Sequence, residues 1–234
     1  MEQAQPRSVR RVAVVCLHGA ASRAGTWDRL RAELERHHVE SHALTALGHR
    51  GAAMPGRYPF VDFRDDAIAE IERLRLQRAS VVGHSLGGFT AIMVAAARPD
   101  LVDRLVLEEP PVPPRDLNDA RPFTRGSELW MRLAAPFARR RLDPRLLHQV
   151  LNQLLVPQRN WWDSLASIKA PTLIVAGGPT SHIYQDRLAM LADALPEAQL
   201  VTVPAGHRVH TKEPDQFIDS VLPFLTRNAL TSSS

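Results

Sequence analysis

The chain has 234 residues, 44% of them apolar and 23% charged, with a formal net charge of +4 and a single cysteine. That length and apolar share suffice for one buried core, and no Gly/Ser linker or charge block divides it, so a single domain over 1–234 is expected. No run reaches the roughly 18 apolar residues of a membrane span, and MEQAQPRSVRR carries no apolar segment behind its charges. These features predict a cytoplasmic protein with no membrane partner. Cys16 lies in the apolar run VAVVCLHG without a partner for an internal disulfide, and reads as a small core residue. The basic residues are scattered except for ARRRLDPR at 138–145, which lacks interleaved aromatics and precedes an amphipathic pattern. It reads as a solvated helix face, and no nucleic-acid partner is expected.

In chain order, a Val/Leu/Ala-rich run at 12–17 is followed by helical periodicity at 26–37, a second run at 39–44 by a helix at 63–76, and a third at 80–82 by a helix at 87–97. A fourth run falls at 105–108, a fifth at 172–176 with a helix at 185–195, and a sixth at 200–203 with a helix at 214–225. Several runs are apolar without alternation, as strands covered on both faces are. The pattern predicts a mostly parallel six-stranded sheet between two helical layers, an α/β/α sandwich. In such folds ligand chemistry gathers at the carboxyl ends of the strands. Between the fourth and fifth runs, about 111–165, RGSELWMRLAAPFARRR and PRLLHQVLNQLLVPQRNWWDSL read as helices with no strand, and an insertion there is expected to cap that edge. Trp130, Trp161 and Trp162 are its candidate substrate-binding residues; for the adjacent pair, the insertion's own core is an equal alternative.

In VVGHSLGGF, Ser85 follows a strand and precedes a helix, the context of a nucleophile elbow. Gly83 and Gly87 make steric sense there, because a strained turn that thrusts out a hydroxyl leaves no room for neighbouring side chains. A serine hydroxyl is a weak nucleophile without a base. His207, in VPAGHRVHTKEP, lies in the loop between the last strand and the last helix, which opens on the same edge of the sheet. His210 competes, but its place beside the final helix suits a structural histidine better. No cysteine and histidine pattern has metal-ligand spacing, and no metal or cofactor is expected.

The elements LHGAAS, TWDRL, ALGHRG, GHSLGG, RPDLVDRLVLEEP, IKAPTLIVAGG and PAGHRVHTKEP, in that order, resemble the α/β-hydrolase superfamily over nearly the whole chain. The resemblance implies Ser85 as nucleophile, His207 as general base, and an oxyanion hole from the backbone N–H groups of Ala20 and Leu86. For Leu86 helix physics agrees, since the first N–H groups of a helix favour a developing negative charge. Eleven residues precede Val12, so the family's first two antiparallel strands are expected to be absent, leaving the strand order 2-1-3-4-5-6. His18 and His84 are expected to hold loop geometry.

The third triad member departs from the family pattern. An aspartate commonly follows the next-to-last strand, where AGGPTSHIYQD has Thr180. The alternative is the end of the preceding strand, LVLEEPP, where Glu108 and Glu109 stand and only one can face His207. Glu109 is preferred, with Glu108 and Asp186 as alternatives. These residues predict a serine hydrolase acting on a small-molecule carboxylic ester or thioester with an apolar acyl part, a lactone also being compatible. A lyase or cyclase using Ser85 and His207 as acid and base, or a ligand-binding protein without activity, are the alternatives.

Overall fold

Six short strands form the centre of the protein: β1 (Ala13–Leu17), β2 (Ser41–Leu44), β3 (Ala79–His84), β4 (Val102–Glu108), β5 (Thr172–Ala176) and β6 (Ala198–Thr202). They lie in one sheet of order β2-β1-β3-β4-β5-β6 with every neighbouring pair parallel, the arrangement the sequence predicts. The structure is a computed structural model, and it describes residues 12–119, 122–134 and 141–227, without the side chains of Arg125, Trp130, Met131 and Ala134. The N-terminal MEQAQPRSVRR, Arg139, Arg140 and the Trp130 side chain therefore lie outside the described residues.

Alternate strand residues enter opposite cores. Val15 and Leu17 of β1 and Leu105 and Leu107 of β4 face one core, while Val14, Cys16 and Val106 face the other. Burial on both faces removes the polar positions that a half-exposed strand would show, hence the unbroken apolar runs. On the second face lie α1 (Asp28–Arg36), the single-turn α8 (Val209–Lys212) and α9 (Pro214–Thr226), through Leu30, Leu34, Val209, Phe217 and Val221. On the first lie α2 (Phe60–Arg73), α3 (Leu86–Ala97) and α7 (Gln185–Ala194), through Phe63, Ile71, Phe89, Ile92 and Leu188. The helix predicted over 26–37 divides into a 3-10 turn at Ala24–Trp27 and α1.

Between β4 and β5 come α4 (Arg125–Ala134), α5 (Pro144–Leu154) and α6 (Arg159–Ser164). Asp143 caps α5 by accepting the Arg145 N–H at 2.9 Å, and Pro144 occupies the first turn, where its missing N–H costs nothing. The arginine cluster is thus not one helical face: Arg141 sits in a turn and Arg145 folds onto Asp143 at 2.8 Å. Leu146, Leu147, Val150, Leu151 and Leu154 of α5 join the same core as the sheet. Two glutamines fasten α5 to the entry of α2. Gln149 accepts from Tyr58 N at 2.9 Å and donates to Gly56 O at 2.9 Å; Gln153 accepts from Phe60 N at 3.1 Å and donates to Tyr58 O at 2.8 Å.

Trp161 and Trp162 are buried in the core that the insertion shares with the sheet. Trp161 stacks on Phe89 with centroids 5.3 Å apart and planes 2° from parallel. Trp162 donates to Pro113 O at 2.9 Å and carries the Arg115 guanidinium 4.0 Å from its ring centroid.

The turn from β3 into α3 is closely packed. A Cβ on Gly83 would overlap the Gly87 carbonyl, and one on Gly87 would overlap the Leu17 carbonyl. The start of α3 is therefore seated directly on the ends of β1 and β3. Replacing Gly87 with alanine is expected to lower unfolding stability by roughly 2 to 4 kcal/mol, because backbone rather than a movable side chain must give way. A methyl group on Gly126 in α4 would meet nothing within 4 Å, so Gly126→Ala should be neutral or up to about 1 kcal/mol stabilising. Urea unfolding of the two variants checks the contrast; equal midpoints would refute it.

Candidate active site

Ser85 stands between β3 and α3 with φ 53° and ψ −119°. Few non-glycine residues adopt such a backbone, and it is held here by packing on both sides. The Ser85 N–H donates to Glu108 O at 2.9 Å, tying the turn to the end of β4. Leu86 opens α3, so its N–H is one of the helix-start donors that have no acceptor within the helix. Ala20 lies in the loop after β1. His49 donates to the Ala20 carbonyl at 2.9 Å, while the His18 ring bonds Gly19 O at 2.9 Å and accepts from Ala46 N at 3.2 Å. Burial, followed by the neighbouring His49, lowers the His18 pKa to about 4, against the Gly19 bond. A neutral imidazole is what this donor and acceptor pair requires.

His207 follows β6, and its Nδ1 lies 3.4 Å from Glu109 Oε2. Its backbone carbonyl accepts from Nε2 of His84, the residue before Ser85, at 2.8 Å. Its ring is flanked by His84 and His182, with centroids 4.7 and 4.0 Å away. Burial, then His182, His210 and Arg208, hold His207 well below the usual histidine range, so it is neutral at neutral pH. With a carboxylate at Nδ1, the proton belongs there and the Nε2 lone pair is left to act as a base.

Glu109 is the next residue after β4, with φ 49°. Its backbone still pairs with β5, N–H to Val175 O at 3.1 Å, but its side chain turns into the loop between β5 and α7. There the Gly177 N–H, the Ser181 hydroxyl and Gln185 Nε2 donate to it. Burial pushes Glu109 above the ordinary carboxylate range; Ser181, Gly177, Gln185 and the nearby His182 pull it back in part.

Glu108, one residue earlier, is fully buried and has a different partner. It accepts from His210 Nδ1 at 2.6 Å and from His210 N at 3.0 Å. His210 Nε2 meets Thr26 Oγ1 at 2.7 Å, and its ring stacks on Trp27 at 4.4 Å. Burial acts to raise the Glu108 pKa, but the adjacent His210 and His84 and the hydrogen bonds from His210 outweigh it, and the carboxyl is held below its ordinary range. Asp186 stays in the first turn of α7, accepting from Arg187 N at 3.0 Å. Thr180, where the resemblance leads one to expect an aspartate, packs its carbonyl and hydroxyl against Gly206.

The structure thus brings Ser85, His207 and Glu109 to one edge of the sheet and sets Glu108 and Asp186 to other tasks. Ser181, His182 and Gln185 were not singled out from the sequence. The available signal was their loop, which opens on the edge that holds Ser85. One group of potential metal ligands occurs among the described residues: His84, Glu108 and His210, with ligand atoms within 4.8 Å of one another. Glu108 and His210 already bond each other, His210 also bonds Thr26, and His84 Nε2 bonds the His207 carbonyl, while His84 Nδ1 has no hydrogen-bond partner among the described residues. No helix among the described residues is long and apolar enough to cross a membrane.

A profile of the Alpha/beta hydrolase family matches residues 14–220. The chain is 28% identical over 91% of its length, and 80% of the relative's, to the sn-1-specific diacylglycerol lipase ABHD11 of Mus musculus. It is 22% identical to Esterase YbfF of Escherichia coli (strain K12), covering 91% of this chain and 92% of the relative. Among solved structures, an esterase from Exiguobacterium antarcticum superposes with a TM-score of 0.79 at 16% identity, over 92% of this chain and 91% of that one.

The Glu108 environment sets a stability test. A carboxyl whose folded pKa is depressed contributes stability that is complete above its unfolded pKa, about 4.3, and lost as pH falls through the folded value. Glu108→Gln should therefore cost roughly 2 to 4 kcal/mol at neutral pH, since it strips the charge from a buried pair. The gap from the wild type should stay constant down to about pH 5 and narrow below it. Urea unfolding at neutral and acidic pH measures both; a gap that widens on acidification would contradict the assignment.

Proposed function

The chain belongs to the Alpha/beta hydrolase family, and on that premise we propose that it is a serine hydrolase that cleaves a carboxylic ester or thioester through an acyl-enzyme on Ser85. The observation that carries the reading is the His207–Glu109 contact, 3.4 Å from Nδ1 to Oε2, in a loop whose His207 carbonyl is bound by His84, the residue before a serine held at φ 53°. Ser85 Oγ attacks the substrate carbonyl while His207 Nε2 takes its proton; Glu109 holds the ring in the required tautomer and stabilises the imidazolium. The N–H groups of Leu86 and Ala20 receive the negative charge on the carbonyl oxygen, the first aided by the dipole of α3. His207 then returns the proton to the leaving alcohol or thiol, and water repeats the sequence to release the acid. No metal or cofactor enters this scheme.

The relatives named lipase and esterase support an ester bond as the target. The segment between β4 and β5 contributes to recognition in this reading, because the start of α4 is fastened to the site. Thr124 N donates to His182 O at 3.2 Å, Phe123 bridges Ile183, and His182 lies against His207. An apolar acyl part suits the buried Phe123 and Ile183 at that junction.

The experiment is fluorophosphonate labelling followed by hydrolysis of a panel of p-nitrophenyl esters. Ser85→Ala should abolish both while leaving circular dichroism unchanged. Glu109→Gln should lower kcat by roughly 10² to 10⁴ with folding intact, and Asp186→Asn should cost far less. Unchanged turnover by pure Ser85→Ala protein would sink the nucleophile assignment.

A further inference from the structure

Glu109 sits in a donor array whose polarity can be read atom by atom. Oε1 receives the Gly177 N–H and Gln185 Nε2, the latter at 3.1 Å; Oε2 receives the Ser181 hydroxyl and faces His207 Nδ1 at 3.4 Å. We propose that Ser181 and Gln185 are positioning residues that hold Glu109 as an oriented, charged carboxylate against His207. The inference rests on the reading of Glu109 as the acid that serves His207 and Ser85.

Two of these donors, Gly177 and Gln185, cannot reverse their roles. Gly177 offers only an N–H. Ser181 Oγ already accepts the Ile183 N–H at 3.0 Å, which directs its own proton to Glu109. Gln185 Oε1 accepts from Gly178 N at 2.9 Å and its Nε2 also donates to Ile183 O at 2.9 Å, so turning the amide over would set donor against donor and acceptor against acceptor. A carboxylate has about four lone-pair directions and uses all of them here. A neutral carboxyl would need one neighbour to become an acceptor: Gly177 and Gln185 cannot, Ser181 could only by turning its own proton away from Glu109, and His207 only in the tautomer that puts its proton on Nε2. The array thus opposes the burial that favours neutral Glu109. The titratable groups facing it are His207 from the loop after β6 and His182 from the loop after β5, while Glu108 on its own strand turns away to His210.

Taking away the Ser181 hydroxyl leaves Oε2 with His207 alone. The proton affinity of the Glu109–His207 pair then rises whichever partner takes the proton, so the effect appears as a macroscopic pKa of the pair. The test is the pH profile of kcat/KM on one p-nitrophenyl ester, followed from the acidic limb to the plateau. Ser181→Ala and Gln185→Leu should each move the acidic limb upward by roughly one pH unit, a loss of about tenfold below the limb with the plateau kept within a few-fold. Ser181→Thr, which retains the hydroxyl, should restore the wild-type limb. Thermal unfolding identifies any variant that does not fold, and the other variant then carries the test. A uniform fall at every pH with the limb unmoved, while Glu109→Gln collapses, overturns this inference alone. Wild-type kcat in Glu109→Gln overturns it together with the reading of Glu109 as the acid.

Discussion

Ser85 and Glu109 both have positive φ, 53° and 49°, and both follow immediately on the ends of neighbouring strands, β3 and β4. Each such conformation costs a side-chain-bearing residue about 1 to 2 kcal/mol, so the surround must hold it in place. At Ser85 the holding contacts are the close approach of Gly83 to Gly87, the seating of Gly87 on the Leu17 carbonyl, and the N–H to Glu108 O bond. At Glu109 they are the bond to Val175 O and the donors of the following loop. The parallel sheet provides the common frame. Because His84 lies opposite Glu108 in the register of β3 and β4, the two turns leave the sheet at the same level.

That register also sorts the buried charges. Glu108 and Glu109 are adjacent and both have no exposed surface, a combination that would be costly if both faced one partner. Strand geometry sends Glu108 to His210, which in turn meets Thr26 and stacks on Trp27 beneath the second helical layer. The positive φ at Glu109 sends the next carboxylate the other way, to His207. His84 joins the two halves: its ring lies 4.9 Å from that of His210, and its Nε2 holds the His207 carbonyl. With Nε2 committed as donor, its Nδ1 is left as a buried lone pair against Gly19. Burial keeps His84 far below the usual histidine range, and a charge there would sit between two other imidazoles.

Much of this was legible in the sequence, because unbroken apolar runs and helical periodicity report burial directly. The run at 172–176 is β5 residue for residue, and the helix at 214–225 differs from α9 by one residue. Strand ends were read less well where polar residues enter them. β4 begins at Val102, three residues before its apolar run, because Asp103 and Arg104 interrupt the hydrophobicity without interrupting the sheet. The positions of Ser85 in the turn after β3 and of His207 in the loop after β6 could be read because glycine spacing and loop position carry steric information. The pairing of His210 with Glu108 could not, since it joins residues from separate elements and depends on which way one strand end faces. Ser181 and Gln185 were hidden for a related reason: a hydroxyl in a loop and an amide at the helix start that follows acquire meaning only once a carboxylate from another strand arrives between them.

The absent aspartate after β5 then has a geometric account. β4 and β5 are direct neighbours with Glu108 opposite Val175, so a side chain leaving the residue after β4 emerges at the start of the loop that follows β5. Glutamate is long enough to reach into that loop, and the loop is built to admit it. A Cβ on Gly177 would lie 3.1 Å from Glu109 Oε1 and would overlap the Gly206 carbonyl, which packs directly on the Gly177 backbone. Gly206 N in turn bonds Gly177 O at 2.8 Å, so the same missing side chain that makes room for the carboxylate also brings the His207 loop up against it. Gly177 thus leaves room for the Glu109 carboxyl to reach across from the neighbouring strand and lie beside His207 Nδ1.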